Sequence, residues 1–205
     1  MMERLCLPVG MLQANAYLVW EGHDAVLIDP GAEPERLLRA VRERALQLHA
    51  LLLTHAHFDH ILAASEIKEQ TGAALIAPQG EAAALADPSY NLSDMVRSPC
   101  TLTADRLVSD GEELIFGALT FSVIHTPGHT AGGVCYRSGD LLFTGDTLFA
   151  GSVGRTDLPG GSAPALKESL RRLMAIEEDL TVLPGHGEES RLLVEKTGNP
   201  FMSGL

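Results

Sequence analysis

The sequence predicts a layered α/β domain in which helices cover β-sheets, and two observations carry that prediction. Short apolar runs rich in strand-forming residues alternate with segments whose apolar residues recur at helical spacing, the order expected of helices packed on a sheet. Several apolar runs end in loops that hold His or Asp, and α/β sheets place their ligand sites at the ends of strands. Because 205 residues suffice for one well-filled core, we expect a single domain over residues 1–205.

The first part of the chain predicts a hairpin followed by a helix and a strand. A turn over residues 21–24 separates two strand-like runs, and Pro34 stands near the first turn of a helix, where it is tolerated. A run of three leucines then predicts a buried strand. The predicted elements are strands Leu12–Trp20 and Ala25–Ile28, helix Glu33–Leu48 and strand Ala50–Leu53.

The rest of the chain repeats this alternation after a long irregular stretch. Residues 87–106 contain several turn-forming Pro, Asn and Ser residues and little periodicity, so we expect a surface excursion near the site or over it. The predicted strands are Ala73–Ala77, Leu114–Phe116, Leu119–Ile124, Gly133–Arg137, Leu141–Phe143 and Thr181–Leu183, and the predicted helices are Ile61–Gly72, Gln79–Ala86, Pro164–Ile176 and Glu189–Lys196.

The bulk composition excludes several classes of function. A net charge of −12 with only 15 Lys and Arg leaves no basic face for a nucleic acid. No apolar run approaches the ~20 residues that a membrane-spanning helix needs, so no membrane partner is expected. The N-terminal residues show no signal-peptide pattern and the three cysteines form no Cys-x-x-Cys pair, so we expect a cytoplasmic protein with free thiols.

Residues 54–60, with the sequence Thr-His-Ala-His-Phe-Asp-His, are the most informative stretch of the chain. Three imidazoles and a carboxylate directly after a buried strand would each need a polar partner if they only packed. They are readily explained as metal ligands, because zinc and its neighbours bind neutral imidazole and carboxylate and often take ligands one or two residues apart. The stretch therefore predicts a metal site.

Three further strand ends carry residues of the same ligand types. His129 lies in a Thr-Pro-Gly-His-Thr segment, Asp146 in Thr-Gly-Asp-Thr and His186 in Pro-Gly-His-Gly. Since ligand sites of α/β sheets lie at strand ends, we expect these three side chains to meet residues 55–60 at one rim of the sheets.

In this order, the four motifs resemble the metallo-β-lactamase superfamily along nearly the whole chain. The segment 145–157 and the Asn-Pro-Phe of residues 199–201 resemble most the short single-domain relatives of glyoxalase II. The resemblance implies a four-layer αββα sandwich of two mixed β-sheets flanked by helices, with a two-metal site at one edge. It implies a first metal on His55, His57 and His129, a second on Asp59, His60 and His186, and Asp146 bridging both.

A metal-dependent hydrolase is the function that this ligand set favours. A metal lowers the pKa of bound water from ~15.7 to ~7, and two ions about 3.5 to 4 Å apart can share a bridging hydroxide that attacks a carbonyl. Asp59 and Asp146 would be the catalytic carboxylates among the ligands, and no Ser in a nucleophile elbow competes with that chemistry. We expect two divalent ions per chain, zinc first with iron or manganese as alternatives, and a small thioester substrate of the glutathione-conjugate type.

Other functions stay open from the sequence. Relatives that share the Gly-Arg-Thr-Asp run oxidise persulfides on a single iron, which here would be held by His55, His129 and Asp146 or a similar subset. A non-catalytic metal-binding protein is a further alternative, although structural sites are closed whereas this ligand set leaves room for water. A β-lactamase would carry a secretion signal, and glyoxalase II has a C-terminal helical region beyond the position of Leu205 that supplies much of the glutathione pocket. We expect neither the secretion signal nor the C-terminal region here. The lack of that region leaves the hydrolytic chemistry in place but weakens the assignment of a glutathione substrate.

Three residues outside the ligand set have expected roles, two of them with an alternative. Asp29 either orients a ligating imidazole or caps the following helix. Arg155 is the expected substrate-binding residue, since its guanidinium could pair with a substrate carboxylate, or it forms an internal ion pair with Asp157. His125 is expected to be structural rather than a ligand.

Overall fold

The computed structural model describes residues 2–205, which form two six-stranded mixed sheets and a small two-stranded sheet. The strands are β1 (Glu3–Val9), β2 (Ala14–Glu21), β3 (Asp24–Ile28), β4 (Gln47–Leu52), β5 (Ala74–Pro78), β6 (Arg106–Val108), β7 (Glu113–Phe116), β8 (Leu119–His125), β9 (Val134–Ser138), β10 (Leu141–Gly145), β11 (Leu148–Phe149), β12 (Ser152–Val153), β13 (Thr181–Pro184) and β14 (Ser190–Arg191). The helices are α1 (Pro34–Glu43), α2 (Phe58–Ile61), α3 (Ala64–Thr71), α4 (Ala82–Leu85), α5 (Ala163–Met174) and α6 (Leu192–Gly198), with 3₁₀ turns at Gln79–Glu81 and Ser93–Val96.

Four layers result from strands that are apolar on both faces. Along β4, Leu51 packs among the side chains of α1 and α3, while Ala50 and Leu52 pack between the two sheets. On the far side of the second sheet, Leu142 packs against α5 and α6. Continuous apolar runs are what a strand buried on both faces requires. The architecture is the αββα sandwich that the family resemblance implies.

The strand directions bring the polar loops to one edge. The first sheet has the order β1-β2-β3-β4-β5-β6, with β3 and β4 parallel, and the second has the order β14-β13-β10-β9-β8-β7. In the second sheet β10 is parallel to β13, and both β8 and β10 run antiparallel to β9. The carboxyl ends of β8, β10 and β13 therefore share one edge, which is where parallel strands of such sheets carry ligand sites.

The predicted helix Glu33–Leu48 is wrong at its end. The helix stops at Glu43, Ala45 takes a left-handed backbone conformation with φ of 50°, and the chain continues as β4 from Gln47. Leu48 fits the helical spacing of α1 but pairs with Ala25 as part of a strand, because pairing with β3 outweighs local helical preference. Strand β1 was not predicted, because polar and apolar residues do not alternate cleanly along its sequence.

The segment after the histidine loop also differs from the predicted helix Ile61–Gly72. It forms two short helices, α2 and α3, separated at Leu62 and Ala63, and α2 already begins at Phe58. Among residues 2–205, none of the helices has the length and apolar character needed to cross a bilayer.

Candidate metal centre

Two groups of three potential ligands lie side by side at the shared strand edge. His55, His57 and His129 form one group, in which the potential ligand atoms all lie within 4.8 Å of one another. A second group with the same spacing consists of Asp59, His60 and His186. The structure thus brings together all six of these residues from loops that follow β4, β8 and β13.

Asp146, at the end of β10, lies between the two groups. One carboxylate oxygen lies 3.5 Å from His129 Nε2, and the other lies 3.5 Å from His60 Nε2. The same carboxylate is 3.7 Å from His186 Nε2. A Cβ on Gly185 would lie 2.2 Å from Asp146 Oδ1, so only glycine at that position leaves room for this carboxylate. The Asp146 carboxylate is therefore near residues of both groups.

A buried hydrogen-bond network behind the first histidine loop fixes the tautomer of two imidazoles. Asp29 accepts hydrogen bonds from the Thr54 backbone N–H at 2.7 Å and the Thr54 hydroxyl at 2.6 Å, and its Oδ2 lies 3.0 Å from His60 Nδ1. Because Thr54 donates its proton to Asp29, its oxygen accepts from His55 Nδ1 at 3.0 Å. In the neutral form of both rings the proton then lies on Nδ1 and the lone pair on Nε2. Asp29 thus orients an imidazole, and no side chain caps α1.

Backbone carbonyls fix the tautomer of two further imidazoles. Nδ1 of His129 donates to the Arg155 carbonyl at 2.8 Å, and Nδ1 of His186 donates to the Leu12 carbonyl at 3.2 Å. A carbonyl can only accept, so in the neutral ring the lone pair lies on Nε2. In four imidazoles the hydrogen bond at Nδ1 therefore leaves Nε2 as the nitrogen that faces the cluster.

The buried atoms at the centre of this cluster fit metal ions. Within the described residues, Nε2 of His55 and His60 and Oδ1 of Asp146 are buried without a hydrogen-bond partner, as is Nε2 of His57, whose other nitrogen faces His129. Leaving a buried polar atom unpaired costs about 1–3 kcal/mol, and a coordinated cation removes that cost. His57 Nδ1 and His129 Nε2 lie 2.8 Å apart and converge on one point. Imidazole nitrogen and carboxylate oxygen suit zinc, iron and manganese alike.

The charge distribution also favours cations. Burial lowers the pKa of His55 well below its ordinary value and that of His57 to about 3, and neighbouring imidazoles act in the same direction. Burial alone would lower the pKa of His60 too, but the carboxylates of Asp59 and Asp146 outweigh it and raise the pKa to about 10. His55 and His57 are thus neutral and available as ligands, while the carboxylates beside His60 stabilise positive charge, as they would that of a bound cation.

The sequence did not reveal Glu81 as part of this region. Its carboxylate is 2% exposed and accepts the backbone N–H groups of Ala56 at 2.9 Å and Gly132 at 2.7 Å. Ala56 lies between two ligands of the first loop, and Gly132 lies in the loop that carries His129. A single Glu before a short helix gives no signal of this role, because the partners are 25 and 51 residues away in the chain.

Asn15 and Tyr17 on β2 were missed for the same reason. Asn15 Nδ2 donates to the carbonyls of Pro184 at 2.9 Å and Gly187 at 3.0 Å, and the Tyr17 hydroxyl donates to Pro184 at 2.7 Å. These bonds join the first sheet to the loop that carries His186. A sequence separation of 169 residues hides such contacts from any local pattern.

A cleft of about 620 Å³ opens beside the cluster. Met95 and Val96, from the irregular stretch 87–106, line it together with Leu12 from the loop between β1 and β2. The predicted surface excursion therefore does reach the site. His125 lies outside the cluster, as expected, with its ring 3.4 Å from the Ala131 carbonyl.

Arg155 lines this cleft but is already paired. Its guanidinium forms two hydrogen bonds to the Asp157 carboxylate, at 2.6 and 2.7 Å. Both side chains are more than half exposed, so the pair is worth little to stability. The internal ion pair is present, and Arg155 also faces the space in which a substrate would lie.

Comparisons with known proteins agree with this geometry. Residues 9–186 match the metallo-beta-lactamase superfamily. The chain is 40% identical to the probable metallo-hydrolase YqgX of Bacillus subtilis over 204 residues, which covers 97% of each chain. It is 35% identical to the hydroxyacylglutathione hydrolase GloC of Haemophilus influenzae over 204 residues, which covers 96% of each chain.

Solved structures of the same fold superpose closely. The BLEG-1 B3 metallo-beta-lactamase is similar with a TM-score of 0.94 and 37% identity, covering 98% of this chain and 100% of that one. TTHA1623 in a di-iron-bound form is similar with a TM-score of 0.87 and 39% identity, covering 96% of this chain and 99% of that one. ETHE1 from Myxococcus xanthus is similar with a TM-score of 0.84 and 32% identity, covering 98% of this chain and 85% of that one. The chain belongs to the metallo-β-lactamase superfamily.

Proposed function

We propose that the protein is a dinuclear metal-dependent hydrolase of thioesters of the glutathione-conjugate type. The observation that carries this proposal is the pair of three-residue ligand groups with the Asp146 carboxylate between them. The similarity to GloC, which is named a hydroxyacylglutathione hydrolase, supports the substrate type. The similarity to TTHA1623 in its di-iron-bound form supports two metals, with zinc as the first candidate here and iron or manganese as alternatives.

Each ligand has an assigned place in the proposal. The first ion would be held by His55, His57 and His129, the second by Asp59, His60 and His186, and Asp146 would contact both. When bound, two such ions activate a water molecule and stabilise the negative charge that develops on a carbonyl oxygen. Asp59 and Asp146 are the carboxylates that we assign to catalysis.

The chain itself orients the ligands and shapes the reaction space. Asp29 and Thr54 hold two imidazoles in the tautomer that leaves Nε2 free. The apolar cleft keeps water away from the substrate, which strengthens electrostatic interactions at the reacting carbonyl. Arg155 is the proposed substrate-binding residue, because it is the one cation that lines this cleft among the described residues.

No cysteine offers a competing nucleophile. Cys135 is fully buried, and that burial raises the pKa of its thiol to about 11. Burial also raises the pKa of Cys6 and Cys100. Since the thiolate is the reactive form, these residues are poor nucleophiles at neutral pH. All three thiols are free, as in proteins of reducing compartments, and a cytoplasmic location is part of the proposal.

Metal analysis and activity on one purified sample test this function. We expect two metal ions per chain and hydrolysis of S-lactoylglutathione without oxygen uptake, and a β-lactam and a lactone complete the substrate panel. A fully metallated protein that hydrolyses none of these compounds would refute the proposal and favour a non-catalytic metal-binding protein. Cleavage of the lactam alone would assign the site to a different hydrolase.

A second candidate is a persulfide dioxygenase with one iron held by His55, His129 and Asp146. The similarity to ETHE1 over 98% of the chain is the observation that favours it. One iron per chain with oxygen uptake on a glutathione persulfide would support this candidate. The second complete group of Asp59, His60 and His186 speaks for two metals instead.

A further inference from the structure

The cleft beside the metal centre is apolar wherever it is not lined by candidate ligands. Its lining contains five of the candidate metal ligands and Arg155. The remaining lining residues are Leu12, Phe58, Leu92, Met95, Val96, Phe149, Val153 and Leu158. Clefts of this kind bind the apolar part of a ligand, and a few polar groups set its orientation.

The charge in the cleft does not match a polyanionic group. Apart from the proposed metal ions, Arg155 is the one Lys or Arg that lines it within residues 2–205, and Asp157 already accepts from its Nε and one of its Nη groups at 2.6 and 2.7 Å. A carboxylate that leaves water needs a charged partner in return. At most one of the two carboxylates of a glutathione moiety can pair with the remaining N–H groups of the exposed Arg155 side chain, and the apolar part of the cleft is left for the other half of the thioester.

Two separate segments expose apolar side chains at the mouth of the cleft. Met95, on the 3₁₀ turn Ser93–Val96, is 74% exposed, and Leu12, between β1 and β2, is 54% exposed. Both line the cleft together with the candidate ligands. Apolar side chains that converge on a site in this way are covered when a ligand binds.

We infer that the preferred substrate carries an apolar acyl group longer than lactoyl, which lies between Leu12, Met95 and Phe149 while the thiol half extends into solvent. The inference rests on the proposed thioester hydrolysis and names the acyl half of its substrate. The volume of about 620 Å³ accommodates such a chain beside the reacting carbonyl.

A chain-length series on one uncharged thiol tests this inference. Lactoyl, butyryl, hexanoyl and octanoyl thioesters of N-acetylcysteamine are compared by kcat/KM, each divided by its own rate of hydroxide-catalysed hydrolysis. We expect kcat/KM to rise about fourfold for each methylene that the cleft buries. The acid products give an independent readout, since octanoate should inhibit at lower concentration than lactate.

Substitution of an exposed apolar residue outside the cleft provides the matched control for substitution of one that lines it. Met95→Ser should flatten the chain-length dependence, whereas Ile115→Ser should not, because Ile115 is 70% exposed on the edge strand β7 and does not line the cleft. A flat or falling series with continued lactoyl hydrolysis would overturn the acyl inference and leave thioester hydrolysis standing. Absence of hydrolysis for every thioester by protein with two bound metals would overturn the proposed function itself.

Glu81 carries a second inference that does not depend on the substrate. Its two hydrogen bonds end on the backbone beside the first ligand group, at Ala56 and Gly132. The backbone at Gly80, next to Glu81, and the backbone at Gly132 come so close that both positions need glycine. A Cβ on Gly132 would lie 2.3 Å from the Gly80 carbonyl carbon. The buried carboxylate thus joins the loop of His55 and His57 to the loop of His129.

We propose that Glu81 is a positioning residue for the metal held by His55, His57 and His129. In Glu81→Gln one amide oxygen can still accept an N–H, but the amide nitrogen then faces the other backbone N–H. The two loops lose their common anchor, and the affinity of the first group should fall about 10- to 100-fold. The second group, Asp59, His60 and His186, should keep its affinity.

Cobalt titration followed by absorption spectroscopy, with a chelator as competitor, separates the two groups. Glu195→Gln is the matched control, because Glu195 is also 2% exposed and accepts from Gly151 N–H and Asn199 Nδ2, both at 2.8 Å, away from the histidine loops. Selective weakening of one cobalt site in Glu81→Gln alone supports the proposal. Titrations of Glu81→Gln that match the wild type, or equal weakening by Glu195→Gln, would overturn it.

Discussion

The Asp29 carboxylate lies 3.0 Å from Nδ1 of His60, and the two side chains, 31 residues apart in the chain, are 2% and 0% exposed. This contact leaves His60 Nε2 as the free nitrogen, directed toward Asp59 and Asp146 at 3.7 and 3.5 Å. A carboxylate behind a ligating imidazole fixes both its orientation and its tautomer.

Asp29→Asn should weaken binding of the second metal about 10- to 100-fold. The amide cannot accept from the Thr54 N–H, the Thr54 hydroxyl and His60 together, so the His60 proton is no longer held on Nδ1. Competition against a chelator of known affinity measures the loss. Asp24→Asn is the control, because Asp24 on β3 also contacts a histidine, His49 at 2.7 Å, but lies away from the cluster. Equal affinities for the two variants would contradict the orienting role.

Asp146→Asn should reduce metal retention and abolish turnover together. The amide nitrogen cannot coordinate as the second carboxylate oxygen would, so the link between the two ligand groups is lost. Metal content after gel filtration and the rate of thioester hydrolysis are measured on the same sample. Asp140→Asn, in the exposed turn that precedes β10, should change neither quantity. An unchanged hydrolysis rate in Asp146→Asn would refute the bridging role.

Removal of the metals should lower the melting temperature. A ligand that binds only the folded state contributes about 2.7 kcal/mol at a free concentration of 100 Kd, and each kcal/mol corresponds to about 2–4 °C for a domain of this size. We therefore expect a decrease of about 5–10 °C for each emptied site in scanning calorimetry. The same chelator presaturated with zinc is the control. A melting temperature that does not respond to the chelator would mean that the cluster binds no metal in solution.

Asn15→Ala should loosen the His186 loop. The side chain of Asn15 is 3% exposed, and its loss leaves the carbonyls of Pro184 and Gly187 without this donor. The Pro184 carbonyl keeps the Tyr17 hydroxyl as a donor, so the loss is that of two hydrogen bonds, each worth about 0.5–1.5 kcal/mol, and the melting temperature and the affinity for the second metal should both fall. Asn199→Ala, which removes a buried amide from the C-terminal segment, should lower the melting temperature alone. A normal second-site affinity in Asn15→Ala would show that the loop does not need this anchor.

The candidate ligand positions, which the structure brings close together, were accessible from the sequence because they depend on residue type and on place along a strand. An apolar strand followed by imidazoles and carboxylates is a local pattern, and it recurs after β4, β8, β10 and β13. The alternation of strands and helices was equally local, and the family resemblance then implied the αββα layers. The end of α1 was not accessible, because Leu48 satisfies the helical period and only its pairing with Ala25 makes it part of a strand.

By itself, the sequence determined which side chains can bind metal and at which strand ends they lie. The tertiary structure decided which atoms support them: Glu81 beneath two histidine loops, Asn15 beneath the His186 loop, and Asp157 on the Arg155 guanidinium. It also decided that the adjacent cleft is apolar, since its lining comes from segments far apart in the chain. Coordination chemistry is encoded in residue type, whereas the contacts that orient it arise only once the two sheets have packed.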